Sequence, residues 1–459
     1  MHRIDVHKLA CDAKFNRFHA AVLGWMFLIL VLDGYDLAIA GIALPGIMKE
    51  MGVEATTMGV MVSSALFGMI FGAIGLGVLG DKLGRRLAIA VCVLLFSVFT
   101  AAAGAARDPI TFGVLRFIAG LGIGGVLPLC TALLTEYASA SVRARFITIA
   151  ACGYSIGGGL AALIGKALME VFGWQVVFFA AGAPLILIPF ILRFVPESLP
   201  FLLERKRDAE VRRIVSKLAP GQELQAQFVV PQEDEGEKAP IGRLFRDGRA
   251  FSSLMFCLAF LTSLFTVYAL SSWLTKLLAM SGFSVGSALN LVLATSIGGV
   301  VGALSSGWLA DKLRIKWVLM ACYMLTGVSV IVMGYGTSPS TALFVAGAVG
   351  AFSQSMNILT YAYVSQFYPS SVCSTGVGFA SGVGRIGGIV APILMGWLVS
   401  LQLPLQQNFL AIAAAPLFGA VAILFVNDGR SASTHQCDAA KGINPTAVPE
   451  VPRVSSACG

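Results

Sequence analysis

Two carboxylates interrupt an apolar run, Leu28-Ile-Leu-Val-Leu-Asp33-Gly34-Tyr35-Asp36-Leu-Ala-Ile39. A charged carboxylate at the centre of a bilayer costs about 2.5–3.5 kcal/mol on insertion scales, so it faces a partner or a water-filled path. At i and i+3 the two share one helix face, about 4.5 Å apart along the axis. Two carboxylates that close do not both stay ionised, and a group that neutralises can load and unload a proton. The competing reading is a pair neutralised by basic neighbours to hold helices together. Two arginines within spans could supply that neutralisation, Arg385 near mid-bilayer and Arg116 nearer the outer side. Arg116 opens Arg-Phe-Ile-Ala-Gly120-Leu-Gly-Ile-Gly-Gly125, and Arg385 lies in Gly382-Val-Gly-Arg385-Ile-Gly-Gly388. Arg116 is expected to face a carboxylate of the first span, as a structural pair or as part of a proton gate. A guanidinium can grip a carboxylate through two parallel hydrogen bonds. Arg385 therefore suits either an organic-anion substrate or a salt bridge to the first-span acids.

An apolar slot with a few placed polar groups would complete such a site. Tyr35, Phe67, Tyr154, Phe265, Tyr268, Trp273, Phe352 and Tyr361 are candidate walls, although packing alone accounts for each more readily. Gln354 and Asn357, at i and i+3, could read a ring hydroxyl. Nothing points to a metal or other cofactor. The four histidines sit near the chain ends, and the nine cysteines include no C-x-x-C. No nucleophile–base constellation stands out, so an enzyme is not expected.

The elements that hold these residues follow from composition. The 459 residues are 57% hydrophobic and 12% charged, with mean hydropathy +0.83, far below the roughly 25% charge of a soluble domain. Twelve apolar stretches are long enough to span a bilayer. They run over 19–47, 57–79, 87–106, 110–134, 145–169, 174–195, 251–278, 285–310, 317–336, 340–366, 373–401 and 405–427. The predicted fold is an all-α membrane protein. Of the 32 Lys and Arg, only Lys49, Arg107 and Lys276 fall in outer loops, so both termini are expected in the cytoplasm. The net charge of +8 reflects that asymmetry, and no nucleic-acid partner is implied. A basic lead ahead of the first span, without a cleavage site, reads as a retained helix.

The chain also repeats. Gly77-Val-Leu-Gly-Asp81-Lys-Leu-Gly84-Arg85-Arg86 follows span two, and Gly307-Trp-Leu-Ala-Asp311-Lys-Leu-Arg314 follows span eight, an offset of 307 minus 77, or 230 residues. This predicts residues 1–195 as one six-helix half and 251–430 as the other. A polar cytoplasmic linker, 196–250, would join them, and a disordered tail, 431–459, would follow. Parallel halves with a site at their midplane interface describe a major facilitator fold. Gly77, Asp81, Arg85, Arg86 and Asp311 are read as loop and gating residues, the glycine allowing close helix approach. Shifting by 230 maps Asp33 and Asp36 onto Ser263 and Thr266, and Arg116 onto Ala346. Glu136 and Arg143 map onto Gln366 and Cys373, and Arg385 maps back onto Ser155. Proton coupling is therefore expected in the first half and a substrate anchor in the second, with Glu136 and Arg143 as a potential gating pair.

Together, DGYD at 33–36, GDKLGRR at 80–86, the Arg116 helix and GVGRIGG at 382–388 resemble the aromatic acid:proton symporters of the major facilitator superfamily. Phe15-Asn-Arg-Phe-His19 and Pro196-Glu197-Ser198 add to that resemblance. It implies proton-driven uptake of a benzoate-like carboxylate across a bacterial inner membrane, with transport roles for Asp33, Asp36, Arg116, Glu136 and Arg385. The partners implied are a small aromatic carboxylate, a proton and the lipid bilayer, with a monomeric transport unit. Alternatives are 4-hydroxybenzoate, protocatechuate or another organic anion as substrate, or a transporter-like aromatic-acid sensor. The short polar tail offers no output domain for a sensor.

Overall fold

The computed structural model describes residues 3–6, 9, 12–139, 142–218, 227–229, 241–245, 249–335 and 338–427. The tail expected at 431–459 and much of the 219–248 stretch lie outside them. Twelve helices are long and apolar enough to cross a membrane. In order they are α1 Arg17–Met51, α2 Ala55–Leu83, α3 Arg85–Ala103, α4 Pro109–Tyr137, α5 Arg143–Phe172, α6 Gln175–Phe194, α7 Ala250–Met280, α8 Val285–Lys312, α9 Ile315–Gly334, α10 Pro339–Phe367, α11 Ser370–Ser400 and α12 Leu405–Phe425. Each overlays one apolar stretch of the sequence. Several of the helices, such as α1, α2 and α4, outrun their stretches because apolarity marks the membrane core, whereas the backbone hydrogen bonds continue into the interface until a cap ends them. The sixth span is not one regular helix: Pro184 and Pro189 accompany a 3₁₀ turn, Ala183–Leu187, in its middle.

The segment between the halves has structure of its own. Helices Leu199–Glu204 and Asp208–Leu218 follow span six, and the second buries Val211, Val215 and Leu218 at i, i+4 and i+7. Those three side chains join the core formed by α1, α3 and α4. Asn16 ties this helix to α1. Its Oδ1 accepts from the Phe18 and His19 amides at the start of α1, while its Nδ2 donates to Lys217 O at 3.0 Å and Leu218 O at 2.9 Å. A short parallel pair, β1 Arg3–Asp5 with β2 Gln227–Val229, links the N-terminal segment to the connector again.

The halves meet along three seams, α1 with α7, α2 with α11 and α5 with α8. One face of the molecule carries the N-terminus and the GDKLGRR loop; the seams lie toward the other. Gly41 packs on the Ser271 backbone, Gly59 on that of Pro392, and Gly396 on that of Ala55. Ser63 Oγ donates to Ile389 O at 2.8 Å, and Lys166 Nζ donates to Asn290 Oδ1 at 2.9 Å. On the terminus side of α2 and α11, Gly75, Gly77, Gly378 and Gly382 face open space. Among the described residues, the tight glycine contacts between the halves lie on the face away from the GDKLGRR loop.

Candidate functional site

Asp33 and Asp36 are both fully buried, and each has a different environment. Asp36 is saturated. Its Oδ1 accepts from Arg116 Nη1, its Oδ2 accepts from Thr100 Oγ1 at 2.6 Å, and Thr100 in turn accepts from Arg116 Nη1 at 2.9 Å. The Arg116 guanidinium lies 5.9 Å from the Phe178 ring centroid. Helices α1, α3 and α4 are thus joined at one buried polar node inside the first half. The sequence places Arg116 opposite a first-span acid, and the structure selects Asp36. Thr100 was not among the sequence candidates, although a hydroxyl in the Phe-Thr-Ala-Ala-Ala run was a usable signal.

Asp33 is under-satisfied. The Tyr154 hydroxyl of α5 donates to its Oδ2, while Oδ1 has no hydrogen-bond partner among the described residues. Close helix contact makes the meeting possible. Gly34 lies against the Tyr154 backbone, and Gly157 against that of Val31 and Tyr35, where any side chain would collide. Tyr154 itself is partly exposed between the halves and within electrostatic reach of Tyr268 on α7.

Arg385, half-buried on α11, has no carboxylate within 4.0 Å among the described residues. Its Nη1 donates to the Met69 carbonyl of α2 at 3.2 Å, across the seam. Tyr268 and Tyr361 both lie within its electrostatic reach, and Tyr361 packs edge-on to Phe260 at 4.6 Å. Neither first-span acid lies within 4.0 Å of Arg385 in this conformation; Asp36 pairs with Arg116, and Asp33 accepts from Tyr154. Gln354 and Asn357 are both partly exposed, and Asn357 Nδ2 donates to Ser263 Oγ at 3.4 Å.

Other candidates are placed differently from the expectation. Tyr35 is buried and its hydroxyl donates to Val177 O at 2.8 Å, so it packs inside the first half rather than lining the gap. Trp273 is buried and donates to Pro392 O at 3.1 Å, joining α7 to α11. Phe67 is 49% exposed and packs on Phe71 and Phe117. At the terminus face Glu136 pairs with Arg85 at 2.7 Å, not with Arg143, because α3 brings Arg85 to the end of α4. Arg143 is half-buried at the start of α5, Asp81 is exposed, and Gly77 makes no close helix approach. The Asp311 side chain lies outside the described residues. Glu197 emerges as the fastener of that face: its carboxylate accepts from the Arg86 amide at 3.1 Å and the Ser198 amide at 3.0 Å, and its carbonyl accepts from Tyr137.

Two opposed buried helix halves, a carboxylate with spare capacity and an unpaired guanidinium between them define a secondary transporter. The chain belongs to the Major Facilitator Superfamily, whose sequence profile matches residues 26–313 and 252–445, and within it to the aromatic acid transporters. It is 38% identical over 435 residues to the benzoate transport protein of Acinetobacter baylyi, covering 93% of each chain. It is 32% identical to the 4-hydroxybenzoate transporter PcaK of the same organism (90% of this chain, 93% of the relative). Identity to the gallate transporter of Pseudomonas putida is 31%, covering 94% and 97%. Among solved structures, a D-xylose–proton symporter superposes with TM-score 0.69 at 17% identity, covering 89% of this chain and 97% of that one. An inward-facing, occupied bacterial homologue of the human lysosomal transporter Spinster superposes with TM-score 0.67 at 18% identity, covering 90% and 97%. These structures share the fold.

Proposed function

We propose that this protein is a proton-coupled symporter that takes up benzoate, or a closely related aromatic carboxylate, by alternating access. The observation that carries the reading is Arg385, a cation between the halves whose one hydrogen bond among the described residues is to a neutral carbonyl. A half-buried guanidinium without a counter-anion is under-compensated, and an incoming carboxylate satisfies it with two parallel bonds. Tyr268 and Tyr361 beside it supply aromatic walls, and Gln354 and Asn357 supply polar groups for the far end of a ring. The relatives named for benzoate, 4-hydroxybenzoate and gallate support an aromatic acid as the ligand class. Asp33 is the proton site and Asp36 the structural anchor of Arg116, since one oxygen of Asp33 has no partner among the described residues whereas both oxygens of Asp36 accept a hydrogen bond. In a bacterial inner membrane the basic terminus face would lie in the cytoplasm, making this an inward-open conformation of a transport unit that functions as a monomer.

The test uses purified protein in vesicles with an imposed pH gradient, supplied with labelled benzoate, 4-hydroxybenzoate or protocatechuate. Benzoate should accumulate only with the gradient, and neutral benzamide should compete poorly. Arg385→Lys keeps the charge but loses the two-pronged geometry, so uptake should fall at least tenfold, and Arg385→Ala should lose binding. Folded Arg385→Ala protein binding benzoate with wild-type affinity would remove this residue as the anchor.

A further inference from the structure

The proton must reach a carboxylate that solvent does not touch. Asp33 is fully buried, and its hydrogen-bonded oxygen is covered by a single group, the Tyr154 hydroxyl. Among the described residues, Tyr154 is the side chain that bridges Asp33 and the space between the halves: it reaches Asp33 on one side and lies near Tyr268 on the other. The repeat gives this position meaning. Arg385 on α11 is the counterpart of Ser155 on α5, the neighbour of Tyr154, so the fifth helix of each half presents its polar group at the same level. One half offers an anion anchor there and the other a phenol seated on an acid.

We propose that Tyr154 is the relay through which Asp33 takes and returns its proton. On loading, a hydronium ion in the gap forms a bond from its proton to the phenol oxygen while the phenol O–H breaks toward Asp33 Oδ2. Hydronium leaves as water, the carboxylate becomes a carboxylic acid, and the phenol ends with one proton as before. On release the carboxyl O–H breaks toward the phenol oxygen, and the phenol proton passes to water. No other reactant is needed. Loading leaves the phenol hydrogen on the gap side, the orientation that release needs, and release returns it to the Asp33 side, so the cycle closes without moving a helix. Because Tyr154 stands close to Tyr268, next to Arg385, a carboxylate bound at Arg385 would shield the relay from water. Substrate occupancy and proton release are thereby linked. The titratable and charged groups around Asp33 are Asp36 on its own helix, Cys92 on α3, Cys130 and Arg116 on α4, Tyr154 on α5 and Tyr268 on α7. Of these, Tyr154 alone hydrogen-bonds to it.

This inference rests on the proton-coupled reading above, and the experiment separates the two. Gradient-driven benzoate accumulation and benzoate exchange at equal pH are measured in the same vesicles, exchange requiring no proton release. Tyr154→Phe keeps the ring and removes the hydroxyl. Accumulation should fall at least tenfold while exchange stays within about twofold of wild type. If Tyr154→Phe does not fold, Tyr154→His restores a protonatable group and decides the matter: it should couple, with a pH profile displaced toward the imidazole range near about 6.5. Wild-type accumulation in Tyr154→Phe, an equal fall in accumulation and exchange, or a His variant with an unshifted profile would overturn the relay. Absence of gradient-driven uptake in the wild type would overturn the functional reading and the relay together.

Discussion

The two aspartates of one helix turn illustrate how much a residue's role depends on how many of its lone pairs are spoken for. Asp36 accepts from Arg116 and Thr100, and Thr100 closes the triangle by accepting from Arg116. Removing one member of a buried, hydrogen-bonded ion pair costs about 3–5 kcal/mol, because the other charge is left without compensation. Stranding a neutral buried donor or acceptor costs about 1–3 kcal/mol. Asp36→Asn and Thr100→Val should therefore lower the melting temperature of the purified protein in that order. Asp33→Asn should melt close to wild type while abolishing gradient-driven accumulation. Equal melting temperatures for Asp33→Asn and Asp36→Asn would show that the two acids do not divide coupling and structure between them. The depth of both acids and of both arginines could be read from the sequence, since a polar residue in an apolar run announces itself. Which arginine meets which acid, and that Tyr154 covers Asp33 from 121 positions away, could not. Spacing fixes the height and the face of a residue on its own helix but leaves open which helix stands opposite.

At the scale of elements, the membrane helices were legible because apolarity and length are enforced by the bilayer itself. The connector was not. Its polar composition reads as solvated linker, yet an eleven-residue amphipathic helix, Asp208–Leu218, packs Val211, Val215 and Leu218 onto the first half. The residue that fixes it, Asn16, serves two helices at once by capping the start of α1 with its oxygen and the end of the connector helix with its nitrogen. Substituting a good N-cap by Ala costs about 0.5–2 kcal/mol. Asn16→Asp should preserve the α1 cap but lose both bonds to the connector, whereas Asn16→Ala loses both functions. Limited proteolysis should then cut near residue 218 faster in both variants, and only Asn16→Ala should also lower the melting temperature by the cap's share. Identical cleavage of wild type and Asn16→Asp would show that the apolar face of the connector helix alone holds it in place.

For the molecule as a whole, function depends on two faces that are not closed at once, and this structure shows which contacts close one of them. Gly41, Gly59 and Gly396 bring helices of opposite halves into backbone contact, with Ser63 and Lys166 adding hydrogen bonds across the seams. The terminus face carries no equivalent among the described glycines of α2 and α11, so alternating access requires this seam to part. Enlarging a residue within a tight contact costs about 1–3 kcal/mol, which shifts a two-state equilibrium roughly 5–150-fold. Gly59→Val sets its side chain against the Pro392 backbone in the closed seam alone, so that whole penalty falls on one conformation. The variant should populate the form open at the opposite face. A cysteine introduced as Ser63→Cys lies inside the seam, where the native serine is 3% exposed. An impermeant maleimide added from that face should label it many times faster when Gly59→Val is also present, while net uptake falls because the seam no longer closes behind the substrate. Unchanged labelling would mean that the α2–α11 contact follows closure without contributing to it, and the α1–α7 contact at Gly41 would be the next position to enlarge.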